Sequence, residues 1–400
     1  MLSMEMLQDA QRVLDPVINH TPVVSTKDIV PDCDFYLKAD CLQKTGAFKL
    51  RGAYYKIATL SDEEKARGVI ACSAGNHAQG VAFAARDMGI PATICIPEGA
   101  PLSKIEATRS YGARVVLVPG VYDDAAREAN RLAQLHGYTF AHPFNDPYVI
   151  AGQGTIGLEI LEQLPDVEQV VCPIGGGGLI SGIAFAIKSL KPDCKVIGVQ
   201  AGTVASMYES RRAGKVTTVA DGDTIADGIH VLTPGELTFE LCQKYVDEIV
   251  TVSEDEIAAA ILALMEGQKT VAEGAGATPV AACMFGKVDT SSKKTVCVVS
   301  GGNVDVTTLS RIITKGLSKS GRIAEISTKV VDKPGSLIQL LQVVSETGAN
   351  IVSINHARED KHSDVGACIV SMVLETRNGQ HVAEIEQALV SKGYSLLSKS

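Results

Sequence analysis

The chain has 400 residues, 46% of them hydrophobic and 21% charged, which is enough apolar material for a large core and excludes a disordered chain. A net charge of −9 excludes the basic surplus that a nucleic-acid partner requires, and no apolar run approaches the ~18–20 residues that cross a bilayer. Residues 1–16 read as a short amphipathic helix disturbed by Pro16. They lack the basic-then-apolar order of a signal peptide. Ten cysteines show no C-x-x-C pair and no Cys/His cluster along the sequence. Cys72, Cys95, Cys172 and Cys297 fall inside β-branched runs and read as buried thiols of a reducing compartment, hence a cytoplasmic protein.

In chain order, strands are expected at Val69–Cys72, Thr93–Ile96, Arg114–Val118, Val170–Cys172, Lys195–Val199 and Thr295–Val299. A helix is expected over about Asn76–Met88. The runs are continuous rather than alternating, which suits strands covered on both faces. Strands spaced by helices argue parallel sheets with right-handed crossovers, so the fold class is α/β, with two sheets. The texture changes near residue 320. Lys315–Gly321 is small, polar and basic, and reads as a linker. Beyond it, Arg322–Val331 reads as a strand, Asp332–Ser336 as a turn, and Leu337, Leu340, Leu341 and Val344 keep helical spacing. Ile351–Ile354 and Val365–Leu374 read as strands. In the latter, Val365, Ala367, Ile369, Ser371 and Val373 alternate as in a half-exposed antiparallel strand. Val382, Ile385 and Leu389 mark a second helix, giving the β-α-β-β-α(-β) order of a ferredoxin-like module.

Four local patterns carry chemistry. In Thr45–Ala53, Lys49 lies among small and apolar neighbours, where lost hydration favours a neutral amine able to form a Schiff base with an aldehyde. The plain alternative is a lysine snorkelling out of a helix. Gly175-Gly176-Gly177-Gly178-Leu179 joins a strand end to a helix start, a place for a phosphate; no Gly-Lys-Ser/Thr follows, and the dinucleotide spacing is missing. The alternative is a flexible hinge. Ser73-Ala74-Gly75-Asn76-His77 offers side-chain and N–H donors for a carboxylate, with His77 either a base or a structural histidine. Ser300-Gly301-Gly302-Asn303 puts a hydroxyl at a strand's carboxyl end, unless it is a simple turn.

Taken together and in this order, TGAFKLRGA, SAGNHAQG, GGGGL, SGGN and the stretch His142–Ile160 resemble the serine/threonine dehydratases of the tryptophan-synthase-β-like (fold type II) pyridoxal-phosphate enzymes. The resemblance covers residues 1–320 and implies a two-lobed catalytic domain with a smaller lobe at about 50–150. It implies pyridoxal 5′-phosphate as cofactor and loss of water and ammonia from L-threonine, with L-serine as a second substrate. Lys49 would carry the cofactor and later take the Cα proton, and Phe48 would lie against the ring. Asn76 would bond its 3′-oxygen, Gly175 to Gly178 with Leu179 would hold its phosphate, and Ser300 would meet the ring nitrogen. Ser73, Asn76 and His77 would hold the substrate carboxylate.

Serine racemases, which share most of these motifs, carry a second serine where Ala74 stands, so racemisation is disfavoured. They also place acidic cation ligands where Gln200 and Ser206 stand, so no metal site is expected. Residues 322–400 resemble an ACT domain. That implies an amino-acid effector, branched-chain ones being candidates, at an interface of a homodimer or homotetramer. A ligand-free dimerisation domain is the alternative. There is room for one module where biosynthetic threonine dehydratases often carry two, which leaves isoleucine feedback open. A serine-preferring dehydratase, a serine racemase and a non-catalytic amino-acid sensor are the competing readings.

Overall fold

All of the runs without polar alternation but one become strands covered on both faces. Gln169–Pro173, with every residue buried, is the clearest case. Arg114–Val118 instead lies at a sheet edge with no buried residue, since only one neighbour strand covers it. The computed structural model describes residues 2–26, 29–31, 33–358 and 366–397. The chain divides into two units, Met1–Asp305 and Val306–Ser400.

The first unit holds β1 (Val23–Ser25), β2 (Asp34–Lys38), β3 (Val69–Cys72), β4 (Ala92–Pro97), β5 (Arg114–Val118), β6 (Thr139–Phe140), β7 (Gln169–Pro173), β8 (Lys195–Ala201), β9 (Glu248–Val252) and β10 (Lys294–Val298). They form a six-stranded sheet, β1-β2-β10-β7-β8-β9, and a four-stranded sheet, β5-β4-β3-β6. Every pairing is parallel except that of β1 with β2. The smaller sheet lies within residues 69–140. The loops after β2, β7 and β10 therefore leave the same carboxyl edge, where open α/β sheets bind ligands. Helix Gly178–Leu190 lies hard against helix Pro147–Gln163. A methyl on Gly182 would meet the Ile150 carbonyl oxygen at 2.3 Å, so only glycine allows this approach.

A buried charge network underlies helix Lys49–Ala58. Arg51, fully buried, pairs with Asp40 at 2.9 Å and with Glu159, while Lys38 pairs with Glu159 at 2.6 Å. Two cations and two anions balance, which is the condition for keeping such groups from water. Burial pulls the Lys38 pKa down against its acidic partners. The acids instead hold Arg51 firmly protonated.

The second unit opens with helix Val306–Lys319. Lys315–Lys319, expected as linker, are its last turns, and the unit boundary falls before the composition change near residue 320. Then come β11 (Ile323–Val331), helix Ser336–Glu346, β12 (Asn350–Ala357), β13 (Ala367–Glu375) and helix Gly379–Ser391. Val365 lies outside the described residues. The sheet order is β11-β13-β12, all antiparallel. Residues 395–397 return along β11, with Leu397 N–H donating to Ser327 O at 2.8 Å. Both helices after β11 pack on one face, against Cys368, Val370, Met372 and Leu374. The alternating set seen in the sequence, Ala367, Ile369, Ser371 and Val373, therefore points away from them. Among the described residues no helix is long and apolar enough to cross a membrane.

Candidate active site

Lys49 is the first residue of helix Lys49–Ala58, after a turn that needs Gly46 in the left-handed region at φ +71°. A methyl on Gly46 would meet the Asn303 side chain at 2.3 Å. The half-buried amine donates to Pro143 O at 2.9 Å and lies 5.3 Å from the Phe48 ring centroid. Burial brings its pKa down to about 8, partly offset by the Glu273 carboxylate. Phe144, next after Pro143, covers the glycine run: methyls on Gly176 and Gly178 would lie 2.5 and 2.9 Å from it. The amine and the glycine run thus flank one short loop. His142 fixes that loop, its Nδ1 accepting from Phe144 N and Asn145 N. Burial lowers the His142 pKa to about 4, so it remains an acceptor at neutral pH.

Gly177 caps helix Gly178–Leu190 at φ +95°. Thr238 Oγ1 anchors the run by donating to Gly176 O at 2.6 Å. Leu179 is buried in the core, leaving its first-turn N–H as its contribution to an anion. Ser300 is buried after β10, and its carbonyl accepts from Phe48 N at 2.9 Å, which ties the serine loop to the lysine turn.

The Ser73–His77 loop joins the same group. Asn76 donates to Glu273 at 2.8 Å and accepts from Asn303 at 2.8 Å, leaving one amide N–H for a ligand. Ser73 Oγ accepts from Gly75 N at 3.1 Å. His77 is buried with Nε2 on Ala141 O at 2.8 Å, and Nδ1 has no hydrogen-bond partner. Burial, then the Lys49 charge, pushes its pKa down to about 3. This neutral, tethered ring suits a structural role better than a base. Gln200 and Ser206 are spoken for elsewhere: Gln200 bonds Tyr208 N and Ile174 O, and Ser206 bonds Val231 O.

Sequence reading missed Glu273. It is 3% exposed, and a methyl on Gly301 would lie 2.5 Å from it. Burial raises its pKa to about 7 against the Asn76 hydrogen bond. The available signal was a single carboxylate in the otherwise uncharged run Val271–Phe285. Thr238 and Asn303 were also not assigned roles.

A half-buried amine of depressed pKa beside a glycine-capped helix start fits an aldehyde cofactor bearing a phosphate. The description of pyridoxal-phosphate dependent enzymes matches residues 14–302. The chain belongs to this family. It is 54% identical over 398 residues, 99% of each chain, to the L-threonine ammonia-lyase of Thermotoga maritima. The solved structure of processed threonine deaminase isoform 2 from Solanum lycopersicum matches with TM-score 0.74 and 38% identity, over 78% of this chain and 87% of that one. Maize serine racemase matches with TM-score 0.74 and 36% identity, over 80% and 98%. The first unit accordingly has the α/β fold of this pyridoxal-phosphate family.

Proposed function

We propose that the chain is a pyridoxal-phosphate-dependent threonine ammonia-lyase, converting L-threonine to 2-oxobutanoate and ammonia and L-serine to pyruvate. What carries the substrate assignment is the 54% identity to an L-threonine ammonia-lyase along essentially the whole of both chains. The cofactor, when bound, withdraws electrons from the substrate Cα. Lys49 would hold it covalently and, once displaced by the substrate amine, take the Cα proton at Nζ; its depressed pKa supports a neutral amine there. Gly175 to Gly178 and Leu179 would hold the phosphate through N–H groups, and Phe48 would flank the ring. Asn76 has one N–H to offer the ring oxygen. Ser300, a neutral hydroxyl rather than a carboxylate, would leave the ring nitrogen unprotonated. That favours expelling the β-hydroxyl over accumulating charge at Cα. Ser73, Asn76 and His77 would line the substrate carboxylate. Ala74, in place of a second serine, supports elimination over racemisation.

We also read residues 322–400 as a ferredoxin-like, ACT-like regulatory module responding to a branched-chain amino acid in a cytoplasmic homo-oligomer. The antiparallel order β11-β13-β12, with residues 395–397 returning along β11, supports this. Ten free cysteines support a reducing compartment.

The test is 2-oxoacid release from L-threonine, L-serine and D-serine, with and without isoleucine or valine, for wild type and Lys49→Ala. Threonine turnover lost in Lys49→Ala, together with the lysine-linked absorbance band, is the expected result. D-serine forming from L-serine faster than pyruvate would overturn the lyase assignment. Kinetics and assembly indifferent to isoleucine, valine and removal of residues 322–400 would overturn the regulatory one.

A further inference from the structure

A second set of reactive side chains lies in the second unit. Asp332 follows β11, His356 is near the end of β12, and Cys368 is near the start of β13. β13 runs between the other two strands. Val330 pairs with Cys368, and His356 pairs with Val370, two residues beyond Cys368 and so on the same face. Asp332 continues the Val330 face, its N–H donating to Gly366 O at 2.9 Å. Register alone thus gathers the three at one end of one face. One carboxylate oxygen, one imidazole nitrogen and one sulfur lie within 4.8 Å of one another. Donors around a single tetrahedral ion, each ~2.0–2.3 Å from it, sit about 3.3–3.8 Å apart, so modest side-chain rotations close the set. Cys368 is buried at 2% exposure, whereas Asp332 and His356 are exposed. The core therefore fixes the sulfur while the other two close from solvent.

We propose that Asp332, His356 and Cys368 form a site for a borderline divalent transition metal such as zinc. A mixed oxygen, nitrogen and sulfur set selects such ions over magnesium and calcium, which take oxygen donors. On binding, the Cys368 thiol releases its proton to solvent and gives up Val330 O, its partner at 3.3 Å. The imidazole binds as the neutral base, and nothing is oxidised or reduced. Arg358 Nε donates to Asp332 Oδ2 at 3.1 Å, leaving Oδ1 for the ion; with Arg358 68% exposed, that pair exchanges readily. Water completes the shell. The bound ion would tie three strands to the turn before helix Ser336–Glu346. This departs from the expectation of no metal site, which rested on Gln200 and Ser206.

The experiment uses full-length, tag-free holoenzyme dialysed against zinc chloride alone, with bound metal counted by mass spectrometry, and against cobalt chloride alone, followed by visible absorption. One zinc per chain is expected, weakened about tenfold or more in Asp332→Asn and His356→Gln. Cobalt should give tetrahedral visible bands with thiolate charge transfer that vanishes in Cys368→Ser, and roughly hundredfold excess magnesium should not displace it. Absence of stoichiometric zinc overturns the proposal. So does unchanged affinity in the Asp332→Asn/His356→Gln double variant, which keeps every thiol and decides the matter even where Cys368→Ser fails to fold.

Discussion

Replacing Glu273 by glutamine keeps the side-chain oxygen that accepts from Asn76 and removes only the ionisable proton. In the folded chain burial raises this carboxyl from 4.5 to about 7. At about 1.4 kcal/mol per pH unit, the difference amounts to about 3 kcal/mol. The sign follows from proton counting. Below pH 4.5 the group is protonated in both folded and unfolded chains. Between 4.5 and about 7 the folded chain keeps a proton the unfolded chain has released, so stability falls as pH rises through this window and levels off above it. Glutamine has no such loss. Glu273→Gln should match wild type near pH 4.5 and exceed it by about 3 kcal/mol at pH 8, or about 5 °C in melting temperature for a unit of this size. The assay is a thermal melt of both proteins, stripped of cofactor, at steps across that range. A difference that stays constant with pH would mean that Glu273 ionises as in water, and the argument from its burial would fail.

Gly178→Ala places a methyl 2.9 Å from Phe144 Cα and Cβ, so overpacking of about 1–3 kcal/mol is expected; cofactor titration should show weakened binding. Arg51→Met leaves Asp40 buried without its cation and Glu159 with only Lys38; a loss of about 3–5 kcal/mol should appear as a lower melting temperature, and a loss within error would contradict the network. Lys104, in the helix after β4, pairs with Asp227, in the segment after β8, with Lys104 mostly shielded and Asp227 half exposed. A double-mutant cycle on KM with Lys104→Ala and Asp227→Asn should give a coupling of up to about 1 kcal/mol, and strict additivity would deny that the pair contributes.

What could be read from the sequence was local. The four glycines and Ser300 follow apolar runs directly, so strand ends announced them, while Lys49 stood out among small and apolar neighbours. Glu273 could not be found that way, since its meaning comes from Asn76, 197 residues away in sequence. Lys38, Asp40, Arg51 and Glu159 look like ordinary surface charges until folding removes them all from water. β1 and β6 are two or three residues long, and β2 begins and ends with a charge, so none shows the continuous apolar run that marked the inner strands. The linker reading failed because the apolar spacing Leu309, Ile312, Ile313, Leu317 outweighs the cost of about 1 kcal/mol for Gly316 within a helix. In β13 both alternating sets are largely apolar, so polarity did not say which one faces inward.

β10 is the last strand of the first unit to be synthesised, yet it sits between β2 and β7. Until it emerges from the ribosome, the larger sheet exists only as a hairpin and a separate three-stranded piece, each with a bare edge. Nothing resembling the finished pocket can form on a nascent chain shorter than about three hundred residues, and such chains carry sticky strand edges that invite mispairing. Chains stalled before β10 should therefore aggregate more readily than the completed chain.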